Sequence, residues 1–143
     1  MRHVLLVEDD PLSQTVVKDI FRYDNPPGKL VCVSSAEEAL RILPSLDPLA
    51  VLMDLTLPGM SGIEATRIIK SDPATKNISV WAITARRTRF DIDTALTAGC
   101  DGYFTKPVAT KQLVEQLRVL ENEKMRNLVH QTVGQTNEHD PSD

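Results

Sequence analysis

Short apolar runs alternate with stretches of helical periodicity along most of this chain. Strands are predicted for residues 3–7, 30–33, 78–84 and 102–105, and for the apolar run that ends at Asp54. Between these runs, apolar residues recur at three- and four-residue spacing, which predicts amphipathic helices. Five strands that alternate with five helices predict a parallel sheet covered by helices on both faces.

Several boundaries between these elements carry their own signals. Asp10–Pro11 combines a good N-cap with a proline suited to the first turn of a helix. Ser34 or Ser35 is expected to cap the second helix, and Gly99 to end the fourth. Pro44 and Pro48 are expected to bracket a loop before the third strand.

The last helix is less regular than the others. Its apolar pattern thins from about Glu121, and residues 134–143 are polar without periodicity. We therefore divide the chain into a domain of residues 1–122 and a C-terminal segment, 123–143, that is predicted to be a helical extension with a disordered polar tail. The apolar positions that predict the last helix are Leu113, Val114, Leu117 and Leu120.

Polar side chains follow four of the predicted strands. Residues 8–10 (Glu-Asp-Asp) follow the first strand, Asp54 ends the third, Thr84 ends the fourth and Lys106 follows the fifth. In a parallel sheet these ends share one edge, where ligands bind in open α/β folds. Each residue alone is more simply a cap or turn residue. Their joint occurrence indicates a functional site.

The residue types at this edge suit phosphoryl chemistry. Clustered carboxylates repel one another and call for a cation, and Mg²⁺ prefers oxygen ligands. Asp9, Asp10 and Asp54 are the expected carboxylate ligands, together with a backbone carbonyl just after Asp54. A cation and Lys106 would neutralise a phosphoryl group to which Thr84 donates a hydrogen bond. Asp54 is then expected to be the nucleophile that forms an acyl phosphate.

Composition narrows the class of protein. A chain of 143 residues with 41% hydrophobic residues is long enough for one core, and its formal charge is −4. The cationic residues are scattered except at Arg86, Arg87 and Arg89, so no basic face for nucleic acid is expected. Cys32 and Cys100 are isolated and are expected to be small buried hydrophobes. No segment approaches the length of a membrane span, and a cytoplasmic location is expected.

Four segments together resemble the receiver domain of two-component response regulators. They are residues 8–10, 53–62, 84–85 and 99–107, and the resemblance extends from about Arg2 to Leu120. It implies a flavodoxin-like α/β fold: a doubly wound, five-stranded parallel sheet in the order 2-1-3-4-5 with five helices, forming a three-layer sandwich. The chain is similar to stand-alone receivers of the chemotaxis type.

The resemblance also implies roles for individual residues. It assigns Asp54 as the phosphoacceptor, Mg²⁺ as the cofactor, and Asp9 and Asp10 as the metal-binding pair, with Asp10 favoured as the direct ligand. The other implied roles are the Thr56 backbone carbonyl as a further ligand, Lys106 as the active-site cation, Thr84 and Tyr103 as the switch pair, and Pro107 as a cis-proline.

The function implied by the resemblance is a signalling switch rather than an enzyme of the ordinary kind. A histidine kinase or a histidine phosphotransfer protein would transfer a phosphoryl group from phosphohistidine to Asp54, and small phosphodonors would allow self-phosphorylation followed by slow autodephosphorylation. The added charge would bias Thr84 and Tyr103 and remodel the face formed by helix 4, strand 5 and helix 5 for a downstream protein.

The oligomeric state is left open as a monomer or a weak dimer through the same face. The apolar residues there fit either a dimer contact or the core: Ile92, Leu96, Leu113 and Leu117.

Three other functions are weighed against this one. An aspartate-nucleophile phosphatase would have Asp-x-Asp, but Thr56 stands at the second position. A nucleotide-binding protein would have a glycine-rich loop after the first strand, which the sequence does not contain. A receiver-like module that binds its partner constitutively, without phosphorylation, is the remaining alternative. It predicts unchanged partner affinity after Asp54→Asn.

Overall fold

The computed structural model describes residues 2–138, with five strands and five α-helices in strict alternation. The elements are β1 (His3–Val7), α1 (Pro11–Tyr23), β2 (Lys29–Val33), α2 (Ala36–Ile42), a short 3-10 helix (Leu43–Ser45), β3 (Pro48–Asp54), α3 (Gly62–Ser71), β4 (Val80–Thr84), α4 (Arg89–Ala98), β5 (Gly102–Thr105) and α5 (Thr110–Glu138).

The strands form one parallel sheet in the order β2-β1-β3-β4-β5. This confirms the predicted strand order and the doubly wound α/β class. The order places β3 in the centre, with Asp54 at its carboxyl end opposite Ile83 of β4. A crevice at the carboxyl edge of the sheet follows from this winding.

Alternate residues of each strand pack against opposite helical layers, so that the fold has three layers. On β1, Val4 and Leu6 face one layer, and Leu5 and Val7 face the other; all four are fully buried. The first layer is made by α1 and α5 through Val17, Ile20, Leu113 and Leu117, and the second by α2, α3 and α4 through Ala36, Ala39, Ala65, Ile69 and Ala95.

Side-chain N-caps begin four of the helices. Asp10 caps α1, Ser35 rather than Ser34 caps α2, Ser61 caps α3 and Thr88 caps α4. Each accepts a hydrogen bond from the backbone N–H three residues later, a contact worth about 1 kcal/mol of stability. All four caps follow strands of the parallel sheet, so they lie at its carboxyl edge and fix the helix starts there.

Two boundaries differ from those that the sequence pattern predicts. Pro48 opens β3 instead of ending the preceding loop, a position that proline tolerates because it needs no ladder donor. Strand β4 begins at Val80, because the Ile78 N–H is taken by a turn hydrogen bond to the Thr75 carbonyl. Asp101 closes this corner by accepting from the Val80 N–H at 2.9 Å and from Lys70 at 2.8 Å.

Helix α5 is longer than its apolar pattern indicates. It continues through Gly134 to Glu138, where a polar segment without periodicity was expected. Residues 139–143, the remainder of the predicted tail, lie outside the described residues. The division of the chain at residue 122 stays a prediction. No helix within residues 2–138 combines the length and hydropathy that a membrane span requires.

The sequence pattern assigns four apolar residues of α4 and α5 either to the core or to a dimer contact, and the structure separates them into two groups. Leu113 and Leu117 are fully buried in the core against β1, β3 and β4. Leu96 is half-exposed and Ile92 is partly buried on α4. The two α5 residues are therefore core residues, and dimer formation through this face stays a prediction.

Candidate functional site

Three strands deliver the predicted polar side chains to one crevice. Asp54 ends β3 and Thr84 ends the adjacent β4, and both are buried. Lys106 follows β5, and its Nζ lies 3.1 Å from Asp54 Oδ2. Its backbone N–H donates to the Thr84 carbonyl at 2.9 Å, which fixes the start of the β5–α5 loop beside β4. The structure therefore brings these three predicted residues together.

Lys106 lies between two buried carboxylates. Besides Asp54, it contacts Glu8 Oε1 at 2.6 Å. Burial acts to lower the pKa of Lys106, but the hydrogen bonds to Glu8 and Asp54 outweigh it and the pKa is raised. Burial, and next the neighbouring Asp54, raise the pKa of Glu8. The crevice therefore holds the charged Lys106 ammonium beside the Glu8 and Asp54 carboxylates, whose simultaneous ionisation is unfavourable in free energy.

Three carboxylates, two of which contact Lys106, meet at Asp54. One oxygen each of Glu8, Asp9 and Asp54 lies within 4.8 Å of the others, with Asp9 exposed and the other two buried. Lys106 compensates one of their formal charges, so two negative charges stay uncompensated. A set of hard oxygen donors with this excess charge, open to solvent at Asp9, fits a divalent cation of the Mg²⁺ type.

The structure does not bring Asp10 into this group, contrary to its expected role as the direct metal ligand. Its carboxylate turns back to cap α1, accepting from the Ser13 N–H at 3.1 Å and from Ser13 Oγ at 2.9 Å. These hydrogen bonds hold the pKa of Asp10 below its ordinary value. Glu8 takes the place in the acidic group that the sequence argument assigned to Asp10.

Two further predicted residues flank Asp54 and Lys106. The Thr56 N–H donates to Asp54 Oδ1 at 3.0 Å, which orients the carboxylate. A ligand role for the Thr56 carbonyl stays a prediction. The peptide bond between Lys106 and Pro107 is cis, as the resemblance implied.

The two predicted switch residues are connected through the backbone of Arg86. Thr84 Oγ1 accepts a hydrogen bond from the Arg86 N–H at 3.1 Å. The Tyr103 hydroxyl donates to the Arg86 carbonyl. Partial burial, and then the charge of Asp91, raise the pKa of Tyr103, so its phenol stays protonated as a donor. A movement of either side chain therefore acts on the same stretch of backbone just before α4.

Gly62 permits the tight return of the chain beside Asp54. A Cβ on Gly62 would lie 2.1 Å from the Asp54 carbonyl oxygen and 2.9 Å from Leu55 Cα. Both contacts are with backbone atoms, which cannot move aside as the end of a side chain can. The N–H of Gly62 also donates to the Leu55 carbonyl at 3.4 Å. Glycine here sets the distance between α3 and the end of β3.

Replacing Gly62 by Ala is expected to lower the free energy of unfolding by about 1–3 kcal/mol, because the new methyl group overlaps the Asp54 backbone. Urea denaturation followed by circular dichroism measures the loss. Arg67→Ala, at an exposed position of the same helix, is the matched control and is expected to change stability by less than about 0.5 kcal/mol. Equal losses in the two variants would contradict the steric explanation.

Comparison with known proteins assigns this fold and crevice to a family. The model of the response regulator receiver domain matches residues 4–118. The chain belongs to the response regulator receiver family. Receiver domains are phosphoacceptors in two-component signalling. The predicted family and fold are thereby confirmed.

Individual relatives agree with this assignment. The chain is 29% identical over 117 residues to the polar-differentiation response regulator DivK of Brucella ovis, a match that covers 82% of this chain and 94% of DivK. It is similar, with 30% identity and a TM-score of 0.74, to the magnesium-bound receiver domain of the sensor histidine kinase PA1611 from Pseudomonas aeruginosa PAO1, covering 83% and 96% of the two chains. A putative response regulator from Chloroflexus aurantiacus has a TM-score of 0.75 at 26% identity, covering 84% and 98%.

The sequence itself indicates why Glu8, and not Asp10, joins Asp9 and Asp54 in the acidic group. A residue that precedes Pro11 at the start of a helix is placed to cap that helix, and a capping carboxylate points to the N–H groups of the first turn. Glu8 directly follows the last residue of β1, and its N–H continues the ladder to the Val33 carbonyl. The connection through Arg86 has no such signal, since it uses backbone atoms of a loop.

Proposed function

We propose that this chain is a phosphorylation-activated switch in a two-component system or phosphorelay, with Asp54 as the phosphoacceptor. The observation that carries the proposal is the position of the buried Asp54 carboxylate. It lies within 4.8 Å of carboxylate oxygens of Glu8 and Asp9, and the Lys106 ammonium contacts both Asp54, at 3.1 Å, and Glu8, at 2.6 Å. A phosphoryl group on Asp54 would have the Lys106 ammonium and a cation held by the acidic group to neutralise its charge.

In the proposed transfer, an Asp54 oxygen attacks phosphorus while the phosphorus–nitrogen bond of a phosphohistidine breaks. The bond electrons leave with the imidazole, and Asp54 becomes an acyl phosphate. Lys106 neutralises part of the charge on the equatorial oxygens, and the Thr84 hydroxyl, which accepts from the Arg86 N–H, turns its own proton to one of them. The Thr56 N–H holds the carboxylate in a fixed orientation.

We infer that Mg²⁺ is the cofactor, held by Glu8, Asp9 and Asp54 with the Thr56 carbonyl as a further ligand. The inference is supported by the oxygen-only donor set and by its uncompensated charge. When bound, Mg²⁺ neutralises phosphoryl oxygens as a Lewis acid. The magnesium-bound PA1611 receiver, 30% identical, supports the same assignment.

The phosphodonor is proposed to dock over α1 and the β5–α5 loop, beside the crevice. A groove of about 280 Å³ opens there, with apolar walls from Val16, Val17 and Pro107 and with Lys106 at its rim. Leu12, at the start of α1, is 77% exposed next to it. A histidine kinase or histidine phosphotransfer protein that reaches Asp54 must cover this rim, and exposed apolar side chains favour such a contact.

Output is proposed to follow from the paired contacts of Thr84 and Tyr103 with Arg86. A phosphoryl group that draws the Thr84 hydroxyl toward Asp54 moves the acceptor of the Arg86 N–H. The β4–α4 loop then adjusts, and Tyr103 on β5 adjusts with it through the Arg86 carbonyl. The face formed by α4, β5 and α5 is thereby remodelled for a downstream protein.

The test is the intact mass of the chain after incubation with acetyl phosphate, with and without Mg²⁺. One added phosphoryl group that depends on Mg²⁺ and maps to the peptide containing Asp54 is the expected result. Absence of any adduct, both with this donor and with a phosphorylated histidine phosphotransfer protein, would contradict the proposal. It would favour the alternative, a receiver-like module that binds its partner constitutively.

The assignment of the metal ligands gives a separate prediction. Saturating Mg²⁺ is expected to stabilise the wild-type chain by about 2–3 kcal/mol at a hundredfold excess over the dissociation constant. Asp9→Asn should remove most of this gain, because Asp9 is a member of the acidic group. Asp10→Asn is the matched control and should keep it, since asparagine also caps helices. Thermal melts with and without Mg²⁺ measure both. A loss in the Asp10 variant alone would restore Asp10 as the ligand.

A further inference from the structure

A cationic and aromatic cluster surrounds the start of α4. Arg86, Arg87 and Arg89 are exposed within four successive positions, on a chain whose formal net charge is −4. Phe90, beside them, is 78% exposed. Burying an exposed phenyl ring against a partner is favourable, and arginine with an aromatic residue is a common composition of binding hot spots.

The acidic residues nearby leave much of this positive charge available. Arg86 reaches Asp91 only at 3.9 Å, and Arg89 reaches Asp93 at 3.6 Å in an exposed pair that contributes little. Asp91 is also engaged with Thr88, whose hydroxyl lies 2.6 Å from its carboxylate. Among residues 2–129, whose side chains the structure describes, no carboxylate lies within ion-pair distance of Arg87, whose guanidinium donates to the Lys106 carbonyl at 3.2 Å.

A groove begins next to this cluster, between the β3–α3 loop and α4. Its volume is about 340 Å³, enough for one or two side chains. Its lining contains the apolar residues Leu55, Leu57, Ile63 and Phe90 together with Arg86, and also Asp91, whose carboxylate is already engaged with Thr88. Leu55 and Leu57 belong to the loop that follows Asp54, and Ile63 lies in the first turn of α3.

We propose that this α4 groove, formed by Leu55, Leu57, Ile63, Arg86 and Phe90, binds an acidic segment of a partner protein whose apolar side chain enters between the walls. The carboxylates of that segment pair with Arg86, Arg87 and Arg89. The charge of the cluster selects the acidic segment, and the adjoining apolar volume selects the side chain. This proposal rests on the proposed function and adds to its output face a second surface, on the side of α4 that faces α3, with the chemistry of the partner segment that binds there.

The position of Arg86 connects this groove to Asp54. The Arg86 N–H is bonded to Thr84 and the Arg86 carbonyl is bonded to Tyr103. A change at either switch residue therefore moves the Arg86 guanidinium, which lines the groove. Affinity for the acidic segment therefore differs between the unphosphorylated and the phosphorylated chain. A ligand that binds both forms equally would shift no equilibrium between them.

The test uses short fluorescein-labelled peptides with one Phe or Leu between Asp and Glu residues, measured by fluorescence anisotropy. Two comparison sets replace the acidic residues by Asn and Gln, or the apolar residue by Ser. The acidic apolar set is expected to bind, and to bind roughly tenfold more weakly to Arg87→Ser/Arg89→Ser and to Phe90→Ser. Lys111→Ser/Arg118→Ser removes two exposed charges from α5 as the matched control and should leave the affinity unchanged.

Amide chemical-shift changes on addition of the peptide locate its binding site, and we expect them at Leu57, Ile63 and Phe90. Equal weakening by the α5 control, shifts on another face, or no binding at millimolar peptide would each overturn the α4 groove. The mass of the wild-type chain after acetyl phosphate and Mg²⁺ treatment, taken from the same sample, tests the proposed function separately. If the chain is phosphorylated but binds no acidic peptide, the groove proposal is contradicted and the proposed phosphorylation switch is still supported.

Discussion

Asp54→Asn is expected to abolish the Mg²⁺-dependent phosphoryl adduct. An amide does not form an acyl phosphate, and the neighbouring Glu8 carboxylate is fully buried against Lys106, away from a phosphodonor. Asparagine keeps the shape of the side chain and an oxygen that accepts the Thr56 N–H, so the fold is expected to persist. Intact mass after acetyl phosphate treatment measures the effect.

The matched control for this substitution is Asp93→Asn on the exposed surface of α4. It removes the same charge at a distance from the acidic group, and it should accept one phosphoryl group as the wild-type chain does. An undiminished adduct in the Asp54 variant would place the acceptor on another side chain.

Lys106→Met is expected to slow phosphorylation by about 10²–10³-fold, the usual effect of removing one preorganised charge from a developing anion. The ammonium contacts Asp54 at 3.1 Å and Glu8 at 2.6 Å, and methionine fills a similar volume without the charge. Initial rates of phosphoryl incorporation from acetyl phosphate, at saturating Mg²⁺, measure the effect.

Loss of the Lys106 charge also leaves two buried carboxylates facing each other, which raises the cost of the native state. Circular dichroism and thermal melts therefore accompany the rate measurement, and Lys106→Arg serves as the variant that keeps the charge. Arginine should recover part of the rate. If methionine and wild type react equally fast, Lys106 has a structural role in the ion pair and none in transfer.

The fold and most of the site follow from local sequence features, because each depends on short-range rules. Continuous apolar runs identify buried parallel strands, and the residues that end them must share one edge of the sheet. That reasoning places Asp54, Thr84 and Lys106 in one crevice, as the structure has them. The separation of the core into two faces likewise follows from the alternation along β1.

Other features depend on three-dimensional contacts that a pattern does not contain. Whether Glu8 or Asp10 joins Asp54 depends on the direction of each side chain at the point where β1 gives way to α1. Lys70 bonds Asp101 across a long separation in sequence, which no spacing indicates. The α5 helix extends beyond its apolar pattern, because the hydrogen bonds of a helix backbone need no apolar stripe.

The central claim is that a phosphoryl group at Asp54 changes the structure at α4 through Arg86. The most direct measurement compares amide chemical shifts of the chain in Mg²⁺ before and after acetyl phosphate is added, in wild type and in Thr84→Val. Large shifts are expected at Arg86, along α4 and at Tyr103 in wild type, and they should be lost from α4 in the Thr84 variant while Asp54 is still phosphorylated. Shifts confined to the residues around Asp54 in a fully phosphorylated wild-type chain would contradict it.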